Sequence, residues 1–304
     1  MTQLLNALPG ALAQGLIWGV MAIGVYITYK VLDIADLTVD GSICTGAAVC
    51  TMLLLGGQSP WLALLCAVLA GVLAGAVTGL LHVGLGIPPI LAGILTQMVL
   101  WSVNLKLLGK ANQALPARTT PVLLSQMDVG GGLPVLLGFC VVLVALLVLF
   151  FGTELGCALR ATGCNPVMSR AQGVNTGLMK IIGLALSNGV VALSGALLCQ
   201  YQGYTDVNMG RGAVVIGLAA VVIGQAVLGR RGGRMAVQLG GVILGAVIYY
   251  IVYQVIIFAG FDTDLLKMFS AVVVAVFLGA PHVKAQLKAH SRSKKGDSGH
   301  AENE

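Results

Sequence analysis

The sequence predicts an all-α, polytopic membrane protein with about eight to ten transmembrane helices. Three observations carry that reading. The 304-residue chain is 58% hydrophobic and 9% charged, more apolar surface than a soluble domain of this size can hide. Its apolar runs recur at the roughly 18 or more residues that cross a bilayer. Its 42 glycines suit helices that approach closely in lipid. The net charge of +6 speaks for a basic membrane side, not for a nucleic-acid partner.

Taken in order, span one covers 8–28 and ends at Tyr29 and Lys30. A polar break, 33–40 (DIADLTVD), leads into a short small-residue span, 41–55. The turn Gly56 to Pro60 separates it from span three, 61–82. A second turn with Pro88 and Pro89 precedes span four, 90–107. A polar connection, 109–132, leads to span five, 133–151. Span six is 181–198. A second polar break, 200–211 (QYQGYTDVNMGR), precedes span seven, 212–228. Arg230, Arg231 and Arg234 form a basic turn before span eight, 236–258. An acidic turn, 260–264, precedes span nine, 265–278, and the polar tail 281–304 reads as disordered. The transmembrane domain is thus 1–280, with halves of about 1–152 and 178–280 joined by the loop 153–177. The N-terminus lacks a basic region and a cleavage site, so it reads as the start of span one.

Lysine and arginine near span ends set the orientation. They put the loop 153–177, the turn at Arg230–Arg234 and the tail with Lys284, Lys288, Arg292, Lys294 and Lys295 in the cytoplasm, and the N-terminus outside. The connection 109–132, with Lys110 and Arg118, must then face outward.

The stretch 153–180 is the one interior segment that reads as a soluble amphipathic helix with caps. It carries Glu154, Arg160, Arg170 and Lys180. Asn165 before Pro166 is a helix cap followed by a first-turn proline, and Gly173 stops the helix.

The two polar breaks resemble each other. Thr38, Asp40 and Ser42 lead into one Gly/Ala-rich helix; Asp206 and Asn208 lead into another, and each follows a full span. With span one running inward and span six outward, this is an inverted-topology repeat, whose interface would hold the transport pathway. A helix starting at 40–42 offers free N–H groups to a carboxylate or hydroxyl solute. Capping by its own Asp40 and Ser42 is the alternative. Asp33, Asp36 and Asp40 are costly in lipid and belong near the interface or on the pathway. Gln97, Trp101 and Asn104 share one face of span four; they line a pathway or bond to neighbouring helices. Tyr249, Tyr250, Tyr253 and Gln254 read as an interfacial belt.

Several chemistries are missing. No phosphate-cradling loop and no His–Glu–His metal motif occur, so the chain holds no ATP, metal or other cofactor of its own and is not an enzyme. None of the seven cysteines forms a C-x-x-C pair, and most sit singly in apolar runs as small hydrophobes. Spans three, five, seven and eight lack interior ionisable residues of the kind an ion-coupled carrier uses. Energy from elsewhere is expected.

The residues also carry a resemblance. Leu159-Arg160-Ala161-Thr162-Gly163-x-Asn165, then Ala171-x-Gly173-Val174-Asn175, then Leu193-Ser194-Gly195-Ala196-Leu197 resemble the permeases of bacterial ABC importers for branched-chain amino acids and ribose. The break at 37–42 is similar to that family's segment, with Thr38 and Asp40 replacing the usual Ser and Gly, and 212–224 is similar to its later Gly-rich helix. Tyr29-Lys30-Val31-Leu32-Asp33 is most like the branch paired with tryptophan- or tyrosine-type binding lipoproteins.

The resemblance implies a type II-like ABC importer permease in the bacterial inner membrane. It implies a homodimer, or a heterodimer with a related permease, a cytosolic ATPase dimer binding ATP and Mg, and an extracytoplasmic substrate-binding protein. Coupling to the ATPase then falls on Arg160, Asn165, Pro166, Ser169, Arg170, Ala171, Gly173 and Asn175. The translocation pathway falls on Thr38, Asp40, Ser42, Gln97, Trp101, Asn104, Asp206 and Asn208. The expected solute is an amino acid, with an aromatic one favoured by the branch. A sugar or nucleoside permease, an ion-driven secondary carrier and a membrane scaffold are the competing readings.

Overall fold

The computed structural model describes residues 2–116, 122–126, 129–228 and 234–258, with isolated positions at 268, 272, 275 and 279. Arg118, Asp128, Arg230, Arg231, the acidic turn, all of span nine but three positions, and the tail lie outside the described residues.

The described residues are mostly helical. Helix α1 (Thr2–Tyr26) continues into a π-helical turn (Ile27–Val31). It is followed by α2 (Val39–Leu55), α3 (Pro60–Gly84), α4 (Pro89–Leu108) and strand β1 (Asn112–Ala114). Then come α5 (Val129–Gly152), α6 (Glu154–Cys164), α7 (Pro166–Ala171), α8 (Thr176–Gln202), strand β2 (Tyr204–Asp206), α9 (Ala213–Leu228) and α10 (Met235–Phe258). Six of these are long and apolar enough to cross a membrane, while α2 and α9 are shorter apolar helices. The chain is a multi-pass, all-α membrane protein.

Helices α1 and α8 form the buried centre and cross where a side chain at Gly24 would meet Val191. Ser187 Oγ donates to the Gly24 carbonyl at 2.8 Å, and Ser194 Oγ to the Ile17 carbonyl at 2.7 Å. Such bonds hold lipid-soluble helices together where the hydrophobic effect cannot. The short helices are exchanged between the halves. Helix α2, which follows α1, packs on α8; α9, which follows α8, packs on α1. A side chain at Gly46 would land on the Ala192 carbonyl, and one at Gly217 would press on Val25. The reciprocal exchange is the geometry that an inverted repeat of a full helix and a short helix produces.

The N-terminal ends of α2 and α9 meet half-way along α8. Asp40, in the first turn of α2, accepts from the backbone N–H of Gly212 and of Val214, each at 3.0 Å. Asp40 and Ser42 therefore do not cap their own helix, which removes one of the two alternatives the sequence left open. The N-cap position of α2 is Thr38, which makes no side-chain cap bond. The Asp40 carboxylate caps the opposite helix, where two free N–H groups and a positive dipole end need an anion.

Asp36 is buried and lines no pathway in this structure. Its carboxylate accepts from Thr38 N and from Asn188 Nδ2, both at 2.8 Å, while Ser42 Oγ donates to Asn188 Oδ1 at 2.6 Å. This network ties the break between α1 and α2 to α8. Truncating Asn188 strands a buried carboxylate, which is strongly destabilising. Asn188→Ala is expected to lower stability by about 2–4 kcal/mol, read as a large drop in melting temperature of the detergent-solubilised protein. Asp36→Asn, which keeps the shape, should cost less.

The tyrosines of α10 correct a second expectation. Tyr249 and Tyr250 are buried, and Tyr250 stacks at a tilt on Trp18 with ring centroids 5.8 Å apart. They pack between α10 and α1 instead of forming an interfacial belt. Cys44, Cys50, Cys140 and Cys199 are buried, whereas Cys157 and Cys164 are exposed.

Candidate functional site

Two features stand apart from the packed bundle: a short helix at one end and a cavity at mid-depth. The end helix is α7. The chain leaves α5 through α6, whose Gly163 lies against the Val31 carbonyl beneath α1. Asn165 closes α6 and opens α7, its Oδ1 accepting from Val167 N at 3.1 Å and Met168 N at 3.0 Å. Pro166 sits at the first helical position, where its missing N–H is no loss. Gly173 ends the turn with φ +83°, a left-handed conformation that disfavours a side chain. Asn175 caps α8 by accepting from Leu178 N at 3.1 Å.

The helix is held from behind. Ser169 Oγ bonds the Asn165 carbonyl, and the Arg170 guanidinium donates to Thr176 Oγ1 at 3.0 and 3.3 Å, linking α7 to the start of α8. Ala171 ends α7 exposed, and Arg160 is exposed one turn before the end of α6. Sequence reasoning passed over Val167 and Met168. They are 79% and 60% exposed at the tip of α7, apolar groups held out on a rigidly capped turn. The antiparallel pair β1–β2, with Asn112 opposite Asp206, lies at the opposite end of α8.

The cavity, open on one side, has a volume of about 740 Å³. Helix α2 contributes Asp40, Gly41 and Cys44 to it, and α4 contributes Gln97, Trp101 and Asn104. The descending segment after β2 contributes Val207 and Arg211. Trp101 Nε1 points to Asn208 Oδ1 at 3.4 Å, and Asp206 Oδ1 accepts from Asn208 N at 2.6 Å, shaping the turn above the cavity. Gly210 lies directly on the Asp40 carbonyl, so only a residue without Cβ lets the segment descend here.

Of the expected pathway residues, the structure brings Asp40, Gln97, Trp101 and Asn104 to one cavity, with Asp206 and Asn208 beside it. Thr38 and Ser42 do not reach it. Thr38 Oγ1 bonds Thr78 Oγ1 at 2.8 Å in a chain continued by Thr96, and Ser42 is fully buried against Asn188. Arg211 was missed by the sequence reading. A lone arginine after a glycine reads as a loop charge, and only the re-entrant path of 206–212 carries it to mid-depth.

The chain matches, over residues 8–280, the family described as the branched-chain amino acid transport system permease component. It belongs to that family. Among curated proteins, the permease is 38% identical over 292 residues to the tyrosine transport system permease protein of Clostridioides difficile, covering 93% of this chain and 94% of that one. It is 33% identical to an uncharacterized protein of Rickettsia prowazekii, covering 91% and 98%. It is 29% identical over 216 residues to the autoinducer 2 import system permease protein LsrC of Escherichia coli, covering 67% of this chain and 60% of that one. No solved structure matches this permease.

Proposed function

We propose that this permease carries an amino acid, with tyrosine the leading candidate, through the membrane in an ATP-driven importer. Full-length similarity to a permease named for tyrosine transport is the observation that carries the choice of solute. The geometry supports the rest. Helix α7 is the contact for a cytosolic ATPase dimer, which binds the ATP and Mg. Its exposed Val167 and Met168 fit an apolar groove, and its caps make it stiff enough to pass on a push. The α6–α7 end is then cytoplasmic, and the β1–β2 end receives the extracytoplasmic binding protein. A second copy of the permease closes the cavity along the open face of α4, where Met98, Val99 and Val103 are exposed. Solute passes beside the meeting ends of α2 and α9. The chain itself performs no hydrolysis.

The test is reconstitution of the permease with its ATPase in liposomes, with tyrosine-loaded binding protein added outside. ATP inside the vesicles should drive tyrosine accumulation that a protonophore leaves intact. Accumulation that needs an ion gradient and ignores ATP would overturn the proposal.

A further inference from the structure

Arg211 has no explanation in the packing. Its side chain is exposed at the cavity beside the meeting ends of α2 and α9, half-way along α8, where a cation is costly in a membrane unless a partner or water receives it. Among the described residues its guanidinium meets no carboxylate within ion-pair distance. The acid on the same wall, Asp40, already accepts at one oxygen from Gly212 N, just before α9, and at the other from Val214 N in its first turn. On the same wall sits Asn104, fully buried, with neither its amide nitrogen nor its amide oxygen bonded to anything. An orphaned buried amide is expensive, so that hydrogen-bonding capacity awaits a group the resting protein lacks. Trp101 lines the same cavity and is 43% exposed.

We propose that the permease has its own solute-recognition station, in which Arg211 receives the carboxylate of an α-amino acid and Trp101 receives its side chain. This rests on the importer reading above. A guanidinium pairs a carboxylate through two parallel hydrogen bonds, which a lysine cannot reproduce and a neutral polyol cannot use. Asn104 serves the amino or carboxylate group once α4 shifts, as it must for solute to pass. The station makes the permease a second filter behind the binding protein: solutes without a carboxylate stall at mid-depth even when delivered.

The test uses the complete transporter in liposomes with saturating tyrosine-loaded binding protein, comparing wild type with Arg211→Gln and Arg211→Lys. Arg211→Gln should reduce tyrosine delivered per ATP hydrolysed about tenfold or more, the usual scale for a lost charge-assisted pair, and Arg211→Lys should fall between. A direct readout follows Trp101 fluorescence in a Trp18→Phe, Trp61→Phe permease–ATPase complex, excited beyond the tyrosine band. L-tyrosine should shift the emission, tyramine, which lacks the carboxylate, should not, and Arg211→Gln should remove the response. Undiminished delivery by Arg211→Gln, or an equal response to tyramine, overturns the station and leaves the importer reading intact. If wild type accumulates no amino acid with ATP, both fall.

Discussion

Replacing Gly195 by valine is expected to abolish accumulation of the folded permease. A Cβ at that position falls on the Ile43 carbonyl, so the backbones of α2 and α8 are already in contact there. The same seam repeats at Gly46 against Ala192, and α3 repeats it on the next face of α8, at Gly71 and Gly75. Helix pairs in lipid gain their stability from this close approach. A bulky residue cannot be accommodated by a rotamer change, because the obstructing atom is backbone. The expected cost is at least about 3 kcal/mol, the upper end of overpacking effects. Separating α2 from α8 would also break the Ser42–Asn188–Asp36 network, so the losses compound. Size-exclusion chromatography of detergent extracts reads the outcome directly. Gly138→Val on α5, where a side chain meets open space, should elute like the wild type. A sharp, monodisperse peak for Gly195→Val would show that the α2–α8 seam has room for a side chain.

Charging the tip of α7 is expected to have the largest effect on activity. Val167→Glu with Met168→Glu leaves Asn165, Pro166 and the Arg170–Thr176 link intact, so α7 should still form. The two carboxylates would have to enter an apolar groove on the ATPase without partners, which is costly. Uptake should fall by at least about tenfold, and loaded binding protein should no longer stimulate ATP hydrolysis. Arg170→Glu acts from the other side. It cuts the bond to Thr176 and lets the turn move independently of α8, so hydrolysis continues while uptake is lost. The two kinds of variant therefore differ: the tip change weakens assembly with the ATPase, and the Arg170 change leaves assembly and removes transmission.

Local signals in the sequence were legible because they act over a few residues. The Asn165–Pro166 start and the Gly173 stop each depend on neighbours within one turn, and the structure has both. The likeness of the two breaks was legible for the same reason. What joins distant parts was not. Nothing near Asp40 says that its carboxylate serves the start of α9, 172 residues further on, and the local reading offered only its own helix or a solute pathway. The tyrosines of α10 failed for a different reason. In a soluble helix the polar face marks the outside, but a helix in lipid is apolar on both its packed and its lipid face. Periodicity therefore cannot tell Tyr250 against Trp18 from a residue facing lipid. Thr38 and Ser42 were misplaced by the same ambiguity: both are polar, and both serve interhelical bonds instead of the cavity. Arg211 needed the fold itself, since its depth follows from the re-entrant path between β2 and α9.

The most direct test of the account is a crosslink from the tip of α7. Met168→Cys, in a Cys157→Ser, Cys164→Ser background that removes the exposed thiols nearby, would be treated with a short bifunctional thiol reagent in the assembled transporter. The account predicts a covalent product with the ATPase subunit, whose yield changes when ATP is added. A product with the binding protein instead, or none in a complex that imports tyrosine, would contradict it.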